Sequence, residues 1–224
     1  MSDPVQDVLD AGRALAAYGM SPGSSGNLSV RTGEEVWMSA SGTSLATLER
    51  EQMARTTLDD RSAAGAGDAG AGDAAPGPRP TKEAPLHLAM YARDDAYRCV
   101  IHLHSPHAVA ASCLPAWREH TAFAPLTPYV LMRVGNVPLV PYAPPGDPAQ
   151  AEAVRQHPLR FHGVLLGNHG SVVAGRTVAE AVDRAIEVEE AARTQLLLGA
   201  RTDARLLTDA EIAALVEKYG MPWG

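Results

Sequence analysis

The chain has 224 residues, 46% of them hydrophobic, and a formal net charge of −7 at pH 7 from 19 Lys and Arg against 26 Asp and Glu. That length supports one sizeable core, and the apolar share excludes a disordered chain. The acidic balance argues against a nucleic-acid backbone as partner but leaves a small anionic substrate open, because a local pocket can be basic.

The opening "MSDPVQDVLD" places acids where a secretory leader carries cations, and no apolar run is long enough to cross a bilayer; a cytoplasmic protein is expected. Asp3-Pro4 reads as an N-cap with a first-turn proline, and Val5, Val8, Leu9, Gly12, Leu15 and Ala16 follow at helical spacing up to Gly19. "NLSVR" and "EVWMSA" are strands joined by the turn "TGEE", with "MARTTLD" as a weaker one. Residues 63–79 are rich in Gly, Ala and Pro and are expected to form a mobile loop; their glycines follow neither dinucleotide nor P-loop spacing. "TKEAPLHLAMYAR" predicts a helix with Leu86, Ala89 and Met90 on one face, "CVIHLH" a buried strand, and "SPHAVAASCL" a helix opening at Ser105 and Pro106. "VPLVPY" and "GVLLGN" are further strands. The T-x-x-E pairs Thr177/Glu180 and Thr208/Glu211 predict two capped helices, the first running to about Leu198, the second stapled by Leu207 and Ile212. Mixed strands and helices without a repeat or linker indicate one α/β domain over 1–224. Cys99 and Cys113 form no CxxC pair and are expected as buried free thiols in a reducing compartment.

The chemistry concentrates in "VIHLHSPHAV". Residues two apart on a strand face the same way, so His102 and His104 project together, the spacing of a divalent-metal pair or of two hydrogen-bonded structural histidines. Glu83, at a helix start just upstream, and His169, between the turn-forming Gly167 and Gly170, offer two more donors. Three imidazoles and a carboxylate make a plausible zinc set. The turns Ser25-Gly26-Asn27 and Ser41-Gly42-Thr43 are small and polar, with backbone N–H groups suited to phosphate oxygens.

The ordered segments "SSGNLSVR", "MSASGTSL", "PTKEAPLHLAMY", "VIHLHSPHAVA" and "LLGNHGSVVAG" resemble the class II aldolase/adducin family over nearly the whole chain. The resemblance implies a central, mostly antiparallel sheet flanked by helices, and Zn²⁺ held by Glu83, His102, His104 and His169. It further implies phosphate contacts from Ser25, Gly26, Asn27, Ser41 and Gly42, completed by Thr81 and Lys82, and a homotetramer with sites at subunit contacts. "PLTPYVLMRVGNVPLVPYAPPGD" and Lys82 are similar to the branch that decarboxylates 3-oxo-tetronate 4-phosphate to dihydroxyacetone phosphate and CO₂. Loss of CO₂ and retro-aldol cleavage both leave an enediolate, so a sugar-phosphate aldolase of the fuculose or rhamnulose type is the alternative; a non-catalytic adducin-like assembly module is a second. Glu83 is the expected proton shuttle and Tyr129 the candidate acid/base. His87, four residues after Glu83, is expected behind the ligands or in the core, and His107 on the pocket wall or surface. Glu187 to Glu190 should form a solvated face, with Glu189 placed to reach a neighbouring subunit.

Overall fold

The computed structural model describes residues 3–59 and 77–224; the part of the Gly/Ala/Pro-rich segment between 63 and 76 lies outside the described residues. Helix α1 (Pro4–Ala17) starts where Asp3 accepts a hydrogen bond from the Val5 N–H at 3.1 Å and buries Val5, Val8, Leu9 and Leu15. Strands β1 (Asn27–Thr32), β2 (Glu35–Ser39) and β3 (Met53–Thr57) follow as a meander, and β4 (Cys99–Leu103) pairs with the other side of β1. The sheet is completed by β5 (Leu139–Val140), β6 (Gly163–Leu166) and β7 (Gly170–Gly175), in the order β3-β2-β1-β4-β7-β6-β5. Each pairing in that order is antiparallel except β5 with β6.

Strand alternation sorts the core into two layers. Leu28, Val30, Cys99, Ile101 and Leu103 pack with α1 and with α3 (Pro106–Ser112), α4 (Pro128–Arg133), α6 (Val178–Leu198) and α7 (Asp209–Tyr219). Val36, Met38, Val100, Val172 and Ala174 face α2 (Ala84–Tyr91) and α5 (Pro148–Arg155). The expected α/β/α arrangement with a mostly antiparallel sheet is what forms. His102 shares the face of Val100, so the strand directs it toward α2 and therefore toward Glu83.

Several expectations change. Helix α2 is buried from Ala84 to Tyr91 on every side rather than on one face, because it packs between α5 and the sheet. Strand β5 is two residues long, since Pro138 and Pro141 flank it and neither can donate to a ladder. Strand β7 and helices α4 and α5 form in addition to the predicted elements. Cys99 is buried, but Cys113 is exposed at the end of α3. Thr208 and Glu211 cap α7 reciprocally, whereas at α6 Thr177 caps Glu180 N–H while the Glu180 carboxylate turns to the Arg176 N–H. Glu189 reaches inward: its oxygens accept from the N–H groups of His107 and Ala108 at 3.1 and 2.8 Å and lie 2.7 Å from His107 Nδ1. No helix among the described residues is long and apolar enough to cross a membrane.

Candidate active site

His102 is central in the sheet, opposite Asn27 on β1 and Val172 on β7. Its Nδ1 lies 2.9 Å from the Ser171 carbonyl, so Nδ1 carries the proton and the Nε2 lone pair points into the site. His104 follows one residue past the strand end, its Nε2 2.9 Å from His102 Nε2. His169 enters from the β6–β7 turn. Asn168 takes the left-handed conformation there (φ 54°), its N–H bonds the Ser112 carbonyl at 3.1 Å, and the His169 N–H bonds Ser112 Oγ at 3.2 Å. The turn can approach only because residue 170 is glycine: a Cβ there would lie 2.3 Å from the Leu103 carbonyl oxygen. Glu83 stands at the N-cap of α2, its N–H bonded to Thr81 Oγ1 at 3.3 Å.

The four ligating atoms lie within 4.8 Å of one another. His102 Nε2 is 3.1 Å from Glu83 Oε2, and His169 Nε2 is 3.1 Å from Glu83 Oε1. These separations are close to the spacing of about 3.3 Å between ligands that tetrahedral bonds of about 2.0–2.1 Å require. Glu83 Oε1 and His169 Nε2, which face each other in the cluster, are buried without a hydrogen-bond partner, the state of lone pairs awaiting an electron-pair acceptor. Burial works to raise the Glu83 carboxyl, but attraction and hydrogen bonding from His102, then contacts from His169 and Asn27, outweigh it and hold the group well below the usual carboxylate range. Burial, then His102 and His169, bring His104 down to about 4. An ionised carboxylate among three imidazoles is a donor set that could hold a divalent metal.

The turns at 25–27 and 41–43, with Thr81 and Lys82, line one cavity of about 350 Å³ that also reaches Glu83, His104 and Pro145. Ser25, Gly26, Asn27, Ser41, Gly42, Thr81 and Lys82 are thus brought together beside the cluster. Gly26 is obligatory there: at φ 76°, a Cβ would meet Ser21 Oγ and the His102 carbonyl. The side chains are already engaged. Ser25 Oγ donates to the Pro22 carbonyl at 2.7 Å, Thr43 Oγ1 to Ala40 at 2.7 Å and Ser41 Oγ to Pro80 at 3.2 Å. Asn27 gives its amide N–H to Glu83 Oε2 at 2.7 Å rather than to the open cavity. A phosphate oxygen gains a donor from these hydroxyls only when they rotate off their carbonyls. Tyr129 is not among the lining residues; it is 57% exposed on α4, which packs on α6 and α7, whereas Glu83 belongs to the α2 side of the sheet. A larger hollow of about 610 Å³ between Trp117, Leu207, Ile212 and Trp223 contains none of the ligating residues. Sequence reasoning missed Ser171 and Ser112, which orient His102 and His169 through register and turn contacts that no local pattern displays.

The family of the class II aldolase and adducin N-terminal domain matches residues 6–196. The chain is 36% identical over 218 residues to a Haemophilus influenzae protein named 3-oxo-tetronate 4-phosphate decarboxylase, covering 96% of this chain and 98% of the relative. It is 35% identical over 210 residues to the protein of the same name from Pectobacterium atrosepticum, covering 93% and 90%. The crystal structure of YgbL from Klebsiella pneumoniae, described as an aldolase, epimerase or decarboxylase, superposes with a TM-score of 0.83 at 35% identity, covering 95% of this chain and 97% of that one. With the expected sheet and the expected segments in place, the chain belongs to the class II aldolase/adducin N-terminal domain family and is a lyase.

Proposed function

We propose that the protein decarboxylates 3-oxo-tetronate 4-phosphate to dihydroxyacetone phosphate and CO₂, with the whole chain, 1–224, as one catalytic domain. Glu83, His102, His104 and His169 would hold the divalent ion, zinc in this proposal. The observation that carries it is one cavity joining a four-donor cluster to two polar turns and Lys82; the decarboxylases at 35–36% identity support the choice of reaction.

When bound, the ion supplies Lewis-acid stabilisation of the charge that gathers on the former ketone oxygen as CO₂ departs. The protein residues do the rest. Lys82 and the turns at 25–27 and 41–43 hold the phosphate and so fix the 3-oxo carbon relative to the cluster. Glu83 returns a proton to carbon from Oε1, the oxygen that Asn27 leaves untied. While the imidazoles hold Glu83 ionised it takes no proton near neutrality, so this step requires those contacts to loosen as substrate arrives. An aldolase needs an acid/base group beside the departing aldehyde, and Tyr129 lies outside its own chain's cavity; in this proposal Tyr129 reaches a site only across a subunit contact of a cytoplasmic homotetramer. An assembly module has no use for four converging donors.

Purified protein given 3-oxo-tetronate 4-phosphate should release CO₂ and dihydroxyacetone phosphate together, and cleave fuculose or rhamnulose phosphate far more slowly. Faster sugar-phosphate cleavage at matched concentrations, abolished by Tyr129→Phe, would establish the aldolase instead.

A further inference from the structure

A file of buried polar side chains runs from the cluster into the core behind it. Asn27 Nδ2 donates to Glu83 Oε2 at 2.7 Å, and Asn27 Oδ1 lies 2.5 Å from His87 Nε2. His87 Nδ1 is 2.8 Å from Ser29 Oγ, which is 2.9 Å from the Tyr91 hydroxyl. His87 and Ser29 are fully buried and Tyr91 nearly so, within the apolar layer between α2 and the sheet. The file arises from two matched spacings. Glu83, His87 and Tyr91 recur every four residues along α2, a rise of about 6.0 Å per step. Asn27 and Ser29 recur every two along β1, about 6.6–6.8 Å. Helix and strand therefore interleave their polar groups like teeth.

The wiring has one solution. An ionised carboxylate only accepts, so Asn27 must turn its Nδ2 toward Glu83 and its Oδ1 toward His87. His87 must then carry its proton on Nε2 and accept at Nδ1, which obliges Ser29 to donate to it and Tyr91 to donate to Ser29. Burial agrees with this tautomer by bringing the His87 imidazole down to about 3, so that it is neutral. Without the Nε2–H donor, the Asn27 amide keeps its N–H toward the carboxylate but loses its hold on the core side, and can tilt to tie back either oxygen.

We propose that His87 is a positioning residue that acts through Asn27 to decide which oxygen of Glu83 is tied back and which faces the metal and substrate. The proposal rests on the metal reading above and adds to it a residue that touches neither metal nor substrate.

The test uses the full chain loaded with cobalt(II), whose visible absorption reports ligand geometry, with chelator competition for affinity. Wild type should bind about one cobalt per chain. His87→Leu should weaken binding about tenfold, the lower end of the effect of removing an outer partner of a ligand, alter the visible bands, and lower kcat more than it raises KM. His87→Gln, whose amide restores an N–H toward Asn27, should recover most of the affinity and the wild-type bands. Wild-type affinity and bands in His87→Leu, whatever its melting temperature, overturn the proposal and leave the metal site standing. Wild type that binds no cobalt overturns both. If His87→Leu does not fold, Ser29→Ala decides: it removes the donor that fixes the tautomer, so a smaller loss with altered bands is expected, and unchanged affinity and bands overturn the proposal.

Discussion

The two ends of the cavity are built differently. At the metal end Glu83, His102 and His169 are 8%, 0% and 7% exposed. Each is fixed by a partner outside the cluster: Asn27 for Glu83, the Ser171 carbonyl for His102, Ser112 for His169. At the phosphate end Lys82, Ser41 and Gly42 are exposed, and the hydroxyls donate to nearby backbone carbonyls. On the proposed function, the metal end is organised before anything binds, whereas the phosphate end would have to exchange one set of hydrogen bonds for another when substrate arrives. Losses at the first should therefore appear in metal content and stability, and losses at the second in KM.

The largest effect is expected from the ligands. His104→Ala leaves three donors and should lose most of the bound metal, with turnover down by more than about 100-fold, the upper end for changes one shell further out. Metal analysis alongside CO₂ release checks this. Full occupancy in both His102→Ala and His104→Ala would remove the metal end from the comparison.

Next comes a pair of glycines. A Cβ at Gly170 would stand 2.3 Å from the Leu103 carbonyl oxygen, so Gly170→Ala must push β7 away from the strand carrying His102. Overpacking of this kind costs about 1–3 kcal/mol, and metal affinity should fall with it. Gly42 has φ +77°, but a methyl group there would meet nothing within 4 Å; Gly42→Ala should cost only the left-handed backbone penalty of about 1–2 kcal/mol and leave metal content alone. Melting curves with and without metal separate the two, and equal metal loss in both would erase the difference between the ends.

Lys82→Ala tests the phosphate end directly. Loss of a hydrogen bond to a charged group is worth about 1.5–3 kcal/mol, or roughly 10- to 150-fold in KM, with metal content unchanged. An unphosphorylated analogue should bind wild type and variant alike; if it weakens equally, Lys82 does not read the phosphate.

The unequal legibility of the sequence follows the same division. His102, His104, Glu83 and His169 stand out because HxH on a strand and a histidine between glycines are local patterns. The sheet's first half is readable because β1 and β2 are joined by a tight turn. Helices α4 and α5 escape a reading based on apolar spacing, although Thr127-Pro128 and Asp147-Pro148 repeat the Asp3-Pro4 start that marks α1. Strand β7 escapes it because Gly170 follows His169 directly and opens the strand, so the turn absorbs it. What no local pattern can show is pairing across the chain. Asn27 reads as a phosphate-turn residue until its contact with Glu83, 56 positions away, is seen. Glu189 reads as a solvated acid until α3 is folded against it.

Acidification should produce the smallest effect and divide the two ends. His104 is brought down to about 4 and His87 to about 3, burial being the main cause in each. In the unfolded chain both take a proton near pH 6.5. Between about 6.5 and 4 the unfolded state therefore binds protons that the folded state refuses, and stability falls as pH falls through that window. Glu83, held low, adds a further loss below about 4.5. The metal-free melting temperature should thus decline from pH 6.5 downward, while His104, brought down to about 4, still offers its lone pair to a metal at pH 5.5. The phosphate end depends instead on the substrate, whose second phosphate ionisation lies near about 6; its dianion falls about fourfold between pH 7.5 and 5.5, and KM should rise by about that factor. An unphosphorylated analogue should show no such rise. Metal content that drops in step with the rise in KM would mean that His104 titrates near its ordinary value, and that the metal end is no better organised than the phosphate end.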